Sequence, residues 1–79
     1  MRILDGNHDR PLTNVALYLT VEEARSLHEQ LAELIAKPQL HHSHIEDDTF
    51  TREITIAIYE PSSLSRFDER SQKLIENDE

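Results

Sequence analysis

Residues 39–61 have the sequence QLHHSHIEDDTFTREITIAIYEP, which predicts two short strands joined by an acidic turn. Isoleucine recurs at every second position of the later strand, and this β-branched density indicates the central strand of a sheet. Directly opposed residues of a hairpin share a face, so we expect Ile45 to lie with Ile54 and Ile56. That condition requires an even loop, and a four-residue loop at 47–50 satisfies it.

Another strand is predicted upstream, at residues 14–20, with the sequence NVALYLT. Its larger apolar side chains occupy alternate positions, the period-2 pattern of a strand with one buried face. They are Val15, Leu17 and Leu19.

A helix is predicted from about residue 20 to residue 37. Thr20 and Glu23 have the spacing of a capping box, and Pro38 disfavours helix in the residue before it. Apolar residues recur at three- and four-residue spacing and form one stripe: Ala24, Leu27, Leu31, Leu34 and Ile35. We expect this stripe, Leu31 included, to be buried on the strands. The acidic residues of the opposite face should meet water: Glu22, Glu29 and Glu33.

A more weakly patterned helix is predicted near the C-terminus, capped by Ser63 or Ser65. The element order strand, helix, strand, strand, helix predicts an α+β fold, with a three-stranded mixed sheet of split βαβ type and helices on one face. An edge strand at residues 1–4 would make the sheet four-stranded. We interpret residues 1–79 as a single domain, with 1–13 irregular or a short edge strand and 14–79 as the α+β core.

Composition limits the function classes. Sixteen acidic and eight basic residues give a net charge of −8, which disfavours nucleic acid as a partner. A 79-residue chain with 37% hydrophobic residues and no cysteine has a small core without disulfide staples, so burial against another protein or a second copy would add stability. No apolar run approaches the roughly 20 residues of a membrane span, and MRILDGN lacks a signal-peptide apolar segment, so we expect a cytoplasmic protein.

The tetrapeptide GNHD, residues 6–9, resembles the block with which calcineurin-like metallophosphoesterases supply an Asn and a His to a two-metal site. That family pattern places a D-x-H block and a G-D-x-x-D block upstream, whereas only five residues precede Gly6, the only glycine of the chain. We therefore interpret the stretch as a turn. Gly6 would supply a positive φ, and Asp5 would hydrogen-bond the backbone two residues on.

The segment HHSH is the candidate for metal chemistry. His42 and His44 are two apart in a predicted strand and project to one face, where a four-residue loop sets His44 opposite Glu53. Two imidazoles and a carboxylate would suit Zn²⁺ with water in the open position. The alternative is that polar residues on the open side of a sheet serve solubility alone. His41 and His28 are interpreted as structural residues.

Other chemistry has little support in the sequence. The acidic run 46–48 is interpreted as a solvated turn, and no common nucleophile, nucleotide or calcium motif is present, so we expect no enzyme and no cofactor. A third hypothesis is a DNA-binding regulator that uses a basic series at helical spacing, Arg66, Arg70 and Lys73. Interleaved acids favour a solvated, ion-paired face instead.

The open sheet face is the candidate binding surface. It should carry small and aromatic residues, among them Tyr18, Thr55, Ala57 and Tyr59, and Tyr is enriched in interface cores. The primary hypothesis is a small acidic noncatalytic protein-binding domain of the inhibitor, immunity, antitoxin or adaptor type, with a homodimer expected. The alternative is a metal or small-ligand binding protein that uses His42 and His44.

Overall fold

Two helices and two antiparallel hairpins form the fold in a computed structural model that describes residues 1–79. The structure is therefore a small α+β fold with two two-stranded sheets. The chain forms two compact units: the first contains residues 1–17 and 59–79, and the second contains residues 18–58. The interpretation of the whole chain as one domain stays a prediction.

Helix α1, Val21–Ala36, begins and ends where the sequence predicts. The Thr20 hydroxyl accepts from the Glu23 amide at 3.1 Å, and the Glu23 carboxylate accepts from the Thr20 amide at 2.8 Å. This reciprocal pair satisfies two backbone donors that the first turn leaves without helical partners. The predicted capping box is confirmed.

A short 3₁₀ turn, Pro38–Leu40, leads into the hairpin of β3, His42–Glu46, and β4, Glu53–Ala57. Ile45 pairs directly with Ile54, so the predicted face sharing is confirmed. The predicted four-residue loop is wrong, because the loop has six residues, 47–52, and the register moves by two positions. His44 therefore lies opposite Thr55 rather than Glu53.

Asp47 provides the physical reason for the longer loop. Its carboxylate accepts hydrogen bonds from the backbone amides of Thr51 at 2.9 Å and Arg52 at 3.2 Å. The Thr51 and Thr49 hydroxyls donate to the other carboxylate oxygen. These bonds hold the chain in a turn before β4 begins, which periodicity alone does not reveal.

Helix α1 packs on β3, and the core of this unit is small. Leu34 and Ile45 are its two buried side chains, with exposures of 2% and 5%. The Ser43 hydroxyl donates to the side-chain oxygen of Gln30, which joins strand to helix within the partly buried layer. Leu31 is 42% exposed, so the prediction of a buried Leu31 is wrong.

Residues 14–20 do not form a strand, contrary to the alternation of their side chains. All seven are exposed, and no strand pairs with them. The predicted three-stranded split βαβ sheet is therefore not confirmed. Alternation describes a chain that fits a half-buried pleated surface, but a strand also needs a neighbour that accepts its backbone hydrogen bonds.

The first unit contains the hairpin of β1, Ile3–Asp5, and β2, Arg10–Leu12. The predicted turn is confirmed, because an Asp5 carboxylate oxygen accepts from the amide of Asn7 at 3.0 Å. The positive φ lies at Asp9, with 51°, and not at Gly6. Residues 1–13 thus contain a small hairpin of their own.

Helix α2, Glu69–Asn77, completes this unit, and Asp68 caps it by accepting from the Ser71 amide. The predicted caps, Ser63 and Ser65, are wrong, because the segment after Pro61 folds as turns. Arg2 donates from Nε to two last-turn carbonyls of α2, at 3.1 and 3.2 Å, where the helix dipole favours a cation. Leu74 is the only buried side chain of the unit. Neither helix of the chain has the length and apolar content needed to cross a membrane.

Candidate functional site

The predicted sheet face does not form as one surface of a sheet. Thr55 and Ala57 lie exposed on β4, but Tyr18 belongs to the non-strand segment and is 93% exposed. Tyr59 is half-buried and belongs to the first unit. Only two of the four candidate residues therefore share a strand.

The histidines of HHSH do come together on the hairpin. The ring centroids of His42 and His44 lie 5.0 Å apart in an edge-to-face arrangement. His41 adds a third ring, with its Nδ1 3.1 Å from the Nδ1 of His42, so that one nitrogen donates and the other accepts. His41 has a positive φ of 75°, which turns the chain between the 3₁₀ turn and β3.

Glu53 reaches this group despite the changed register. Its carboxylate oxygen lies 2.6 Å from the His44 Nδ1, and the Thr55 hydroxyl lies 2.8 Å from the same nitrogen. The Glu53 carboxylate thus contacts the Nδ1 nitrogen of His44. No group of three or more His, Cys, Asp or Glu side chains is arranged to hold a metal ion. The metal hypothesis for His42, His44 and Glu53 stays a prediction.

In the acidic turn, the Asp47 carboxylate stabilises the hairpin loop. Partial burial raises the pKa of Asp47, but the hydrogen bonds from Arg52, Thr51 and Thr49 lower it by more, and the net pKa lies below the usual Asp value. Its side chain is 21% exposed. Asp47 therefore stabilises the hairpin loop in its ionised form.

The basic series proposed for DNA does not lie on one helix. Arg66 precedes α2, whereas Arg70 and Lys73 lie within it. The Arg70 Nε donates to the Asp9 carboxylate, and one Nη donates to the carbonyl of Glu79 at 2.9 Å. Arg70 therefore joins α2 to the first hairpin, which accounts for its presence without nucleic acid.

The residues of GNHD are engaged with their own turn. The Nδ1 of His8 lies 2.9 Å from the second carboxylate oxygen of Asp5, and the Asp9 side chain accepts from Arg70. The side-chain hydrogen bond to His8 is the largest cause of a lowered Asp5 pKa. This geometry fits the interpretation of the stretch as a turn.

A line of exposed, mostly apolar residues runs along one side of α1. We call it the exposed stripe, and it comprises Val21, Ala24, His28, Leu31 and Ile35. All five are exposed, and their spacing alternates between three and four residues. Such 3-4 spacing places side chains on one side of a helix and is the pattern of helix-pairing seams.

Helical geometry separates this stripe from the core. Successive residues turn by about 100°, so Leu27 and Leu34 lie roughly a quarter turn from the exposed stripe. The acidic residues occupy the opposite side of the helix, where all three are exposed: Glu22, Glu29 and Glu33. Arg25 is the α1 charge nearest to the stripe. The stripe is therefore apolar apart from His28, on a chain with a net charge of −8.

Sequence reasoning missed this division because it treated all apolar residues of α1 as one buried face. The sequence does indicate this division, because the apolar residues of α1 spread around the helix over a wider arc than one buried face. Leu27 and Leu34 define one line along the helix, whereas Ala24, Leu31 and Ile35 define another. Each line of apolar residues needs its own packing surface to be buried, and the two-stranded hairpin provides such a surface for one line.

No protein-family model, curated protein or solved structure matches this chain. The geometry of the surfaces just described is thus the basis for a functional assignment.

Proposed function

We propose that this chain is a small acidic noncatalytic protein-binding domain that acts through the exposed stripe of α1. The observation that carries the proposal is the row of exposed residues at 3-4 spacing on one helix, among them Leu31 at 42% and Ile35 at 65% exposure. A row of apolar side chains at this spacing is the pattern with which a helix docks on a protein partner. Inhibitors, immunity proteins, antitoxins and adaptors act by covering a partner's surface in this way. We also propose a cytoplasmic location for the chain.

The proposal also rests on the limited core. Three side chains of the whole chain are buried: Leu34, Ile45 and Leu74. A short chain with so little buried apolar volume gains stability from each apolar side chain that a partner covers, at about 25 cal/mol per Å² of apolar area. A partner on α1 would therefore stabilise the fold as well as carry the function.

Site-specific photocrosslinking tests the proposal. A photoreactive phenylalanine analogue replaces Ile35 in the full chain, which is produced in cells and irradiated. We expect covalent adducts with a polypeptide. The matched control carries the same analogue at Glu29, on the opposite side of α1, and should give none. Absence of adducts at position 35, or equal adducts at both positions, would overturn the proposal.

Metal binding is the second candidate, favoured by the 5.0 Å separation of the His42 and His44 rings and by the contact of Glu53 with His44. We expect no tight site, because no group of three or more His, Cys, Asp or Glu side chains is arranged to hold a metal ion. Calorimetry with Zn²⁺ tests this expectation. Submicromolar binding that is abolished by both His42→Ala and His44→Ala would favour metal binding over the primary proposal.

A further inference from the structure

We propose that a second copy of this chain covers the exposed stripe, with the two α1 helices packed antiparallel about a two-fold axis. The inference rests on the proposed function and names the partner and the geometry. It follows from the size, charge and symmetry of the residues in the stripe.

Size complementarity favours an antiparallel alignment. In antiparallel helix pairs, the two kinds of position in a 3-4 repeat face each other. In the proposed register, Ala24 lies opposite Ile35 of the second copy, and His28 lies opposite Leu31. Ala24, the smallest side chain of the stripe, thus meets the large side chain of Ile35, and the two-fold axis repeats each contact. A parallel pair would instead place Ala24 opposite Ala24 and leave a gap between the helices.

Charge favours a second copy at this surface over any other surface of α1. Two chains that each carry −8 repel unless their acids stay apart. Glu22, Glu29 and Glu33 lie on the far side of α1, so the stripe brings no carboxylate of this helix into the contact. Antiparallel helices also place each positive N-terminal end beside a negative C-terminal end.

The expected dimer is a weak one. Helix α1 has 16 residues and is thus about 24 Å long, so a pair of such helices lies at the small end of specific interfaces, which bury roughly 800 Å² per partner. We therefore expect an equilibrium between monomer and dimer at micromolar concentration, not an obligate dimer.

Sedimentation over a concentration series tests the second copy. The unmodified chain should shift from the mass of one chain to the mass of two as its concentration rises. Ile35→Glu should keep it monomeric, because a carboxylate would enter the contact opposite Ala24. Ile35 is 65% exposed, so the fold should persist, which circular dichroism checks. The matched control Glu29→Gln should dimerise at least as well as the unmodified chain. A chain that stays monomeric throughout, or dimerises unchanged with Ile35→Glu, would overturn the inference.

Disulfide trapping tests the antiparallel geometry, since the chain has no cysteine of its own. A mixture of the Ala24→Cys and Ile35→Cys variants should form a disulfide between the two variants, which differ in mass. Neither variant should link to itself, because the antiparallel dimer separates identical positions by about 16 Å along the axis, beyond disulfide reach. Self-linked species of each variant, with no mixed species, would show a parallel dimer and contradict the proposed geometry.

The photocrosslinked adduct separates this inference from the proposed function. An adduct at position 35 with the mass of two chains supports both. An adduct with a different polypeptide supports the protein-binding function but overturns the second copy as the partner. No adduct at position 35 overturns both.

Discussion

One apolar face of α1 is buried and the other is exposed, although both consist of the same kinds of residue. Leu34 is 2% exposed, whereas its neighbour Ile35 is 65% exposed. Leu27, two turns before Leu34, is partly buried, whereas Leu31, one turn before Ile35, is exposed. Hydrophobicity therefore does not decide which face of this helix is buried. The position of β3 decides it.

The width of the hairpin gives the physical reason. Neighbouring strands lie about 4.8 Å apart, and a helix with its side chains is about 10 Å across, so two strands cover only part of a helix. Residues 14–20 would have been the third strand, but they pair with no strand. The hairpin therefore leaves one side of α1 uncovered, and the exposed stripe lies on that side.

The largest expected effect comes from Leu34→Ala. Removing a fully buried leucine loses its transfer free energy and leaves a cavity, so unfolding should become easier by about 2 to 5 kcal/mol. Urea unfolding followed by circular dichroism measures the change. The matched control Ile35→Ala, on the adjacent exposed residue, should cost less than about 1 kcal/mol. Equal losses would remove the distinction between the two faces.

A smaller effect is expected from Thr20→Ala, which removes one half of the capping box and affects both faces alike. Loss of the hydroxyl leaves the Glu23 amide without its partner and should cost about 1 kcal/mol. The same urea titration measures it, with Thr20→Ser as the variant that retains the cap. A Thr20→Ser variant as unstable as Thr20→Ala would show that the hydroxyl is not what matters.

Leu31→Ala should cost at most about 1 kcal/mol, because much of the side chain already lies in water and alanine has the higher helix propensity. The measurement is made at concentrations where the chain is monomeric, so that folding is separated from association. A loss as large as that of Leu34→Ala would mean that Leu31 belongs to the core after all.

The smallest effect concerns the hairpin under the buried face. The folded-state pKa of Asp47 lies below its unfolded value, so its ionised form stabilises the fold above pH of about 4. That contribution is lost as the pH falls through the folded pKa. In urea titrations across this range, the stability difference between the unmodified chain and Asp47→Asn should narrow with falling pH. A stability difference that does not change with pH would show that the ionisation of Asp47 does not contribute to the pH dependence of stability.

The candidate site was predictable only in part. The H-x-H spacing places His42 and His44 on one face of β3, where their rings lie 5.0 Å apart, whereas Glu53 contacts His44 in a register that the sequence did not indicate. The grouping of Tyr18 with Thr55 on one sheet face is not confirmed, because residues 14–20 pair with no strand. Pairing between distant segments depends on backbone partners that no local pattern specifies.

By itself, the amino-acid sequence determined the local elements whose interactions lie within a few residues. The limits of α1 follow from Thr20, Glu23 and Pro38, and the face shared by Ile45 and Ile54 follows from the period of a strand. The six-residue loop follows from local hydrogen bonds of Asp47, which the alternation of the strands does not indicate. Only the tertiary structure decided the missing third strand and the face of α1 that is buried. These features depend on contacts between segments distant in the chain, where several arrangements satisfy the same periodicity and only one is packed.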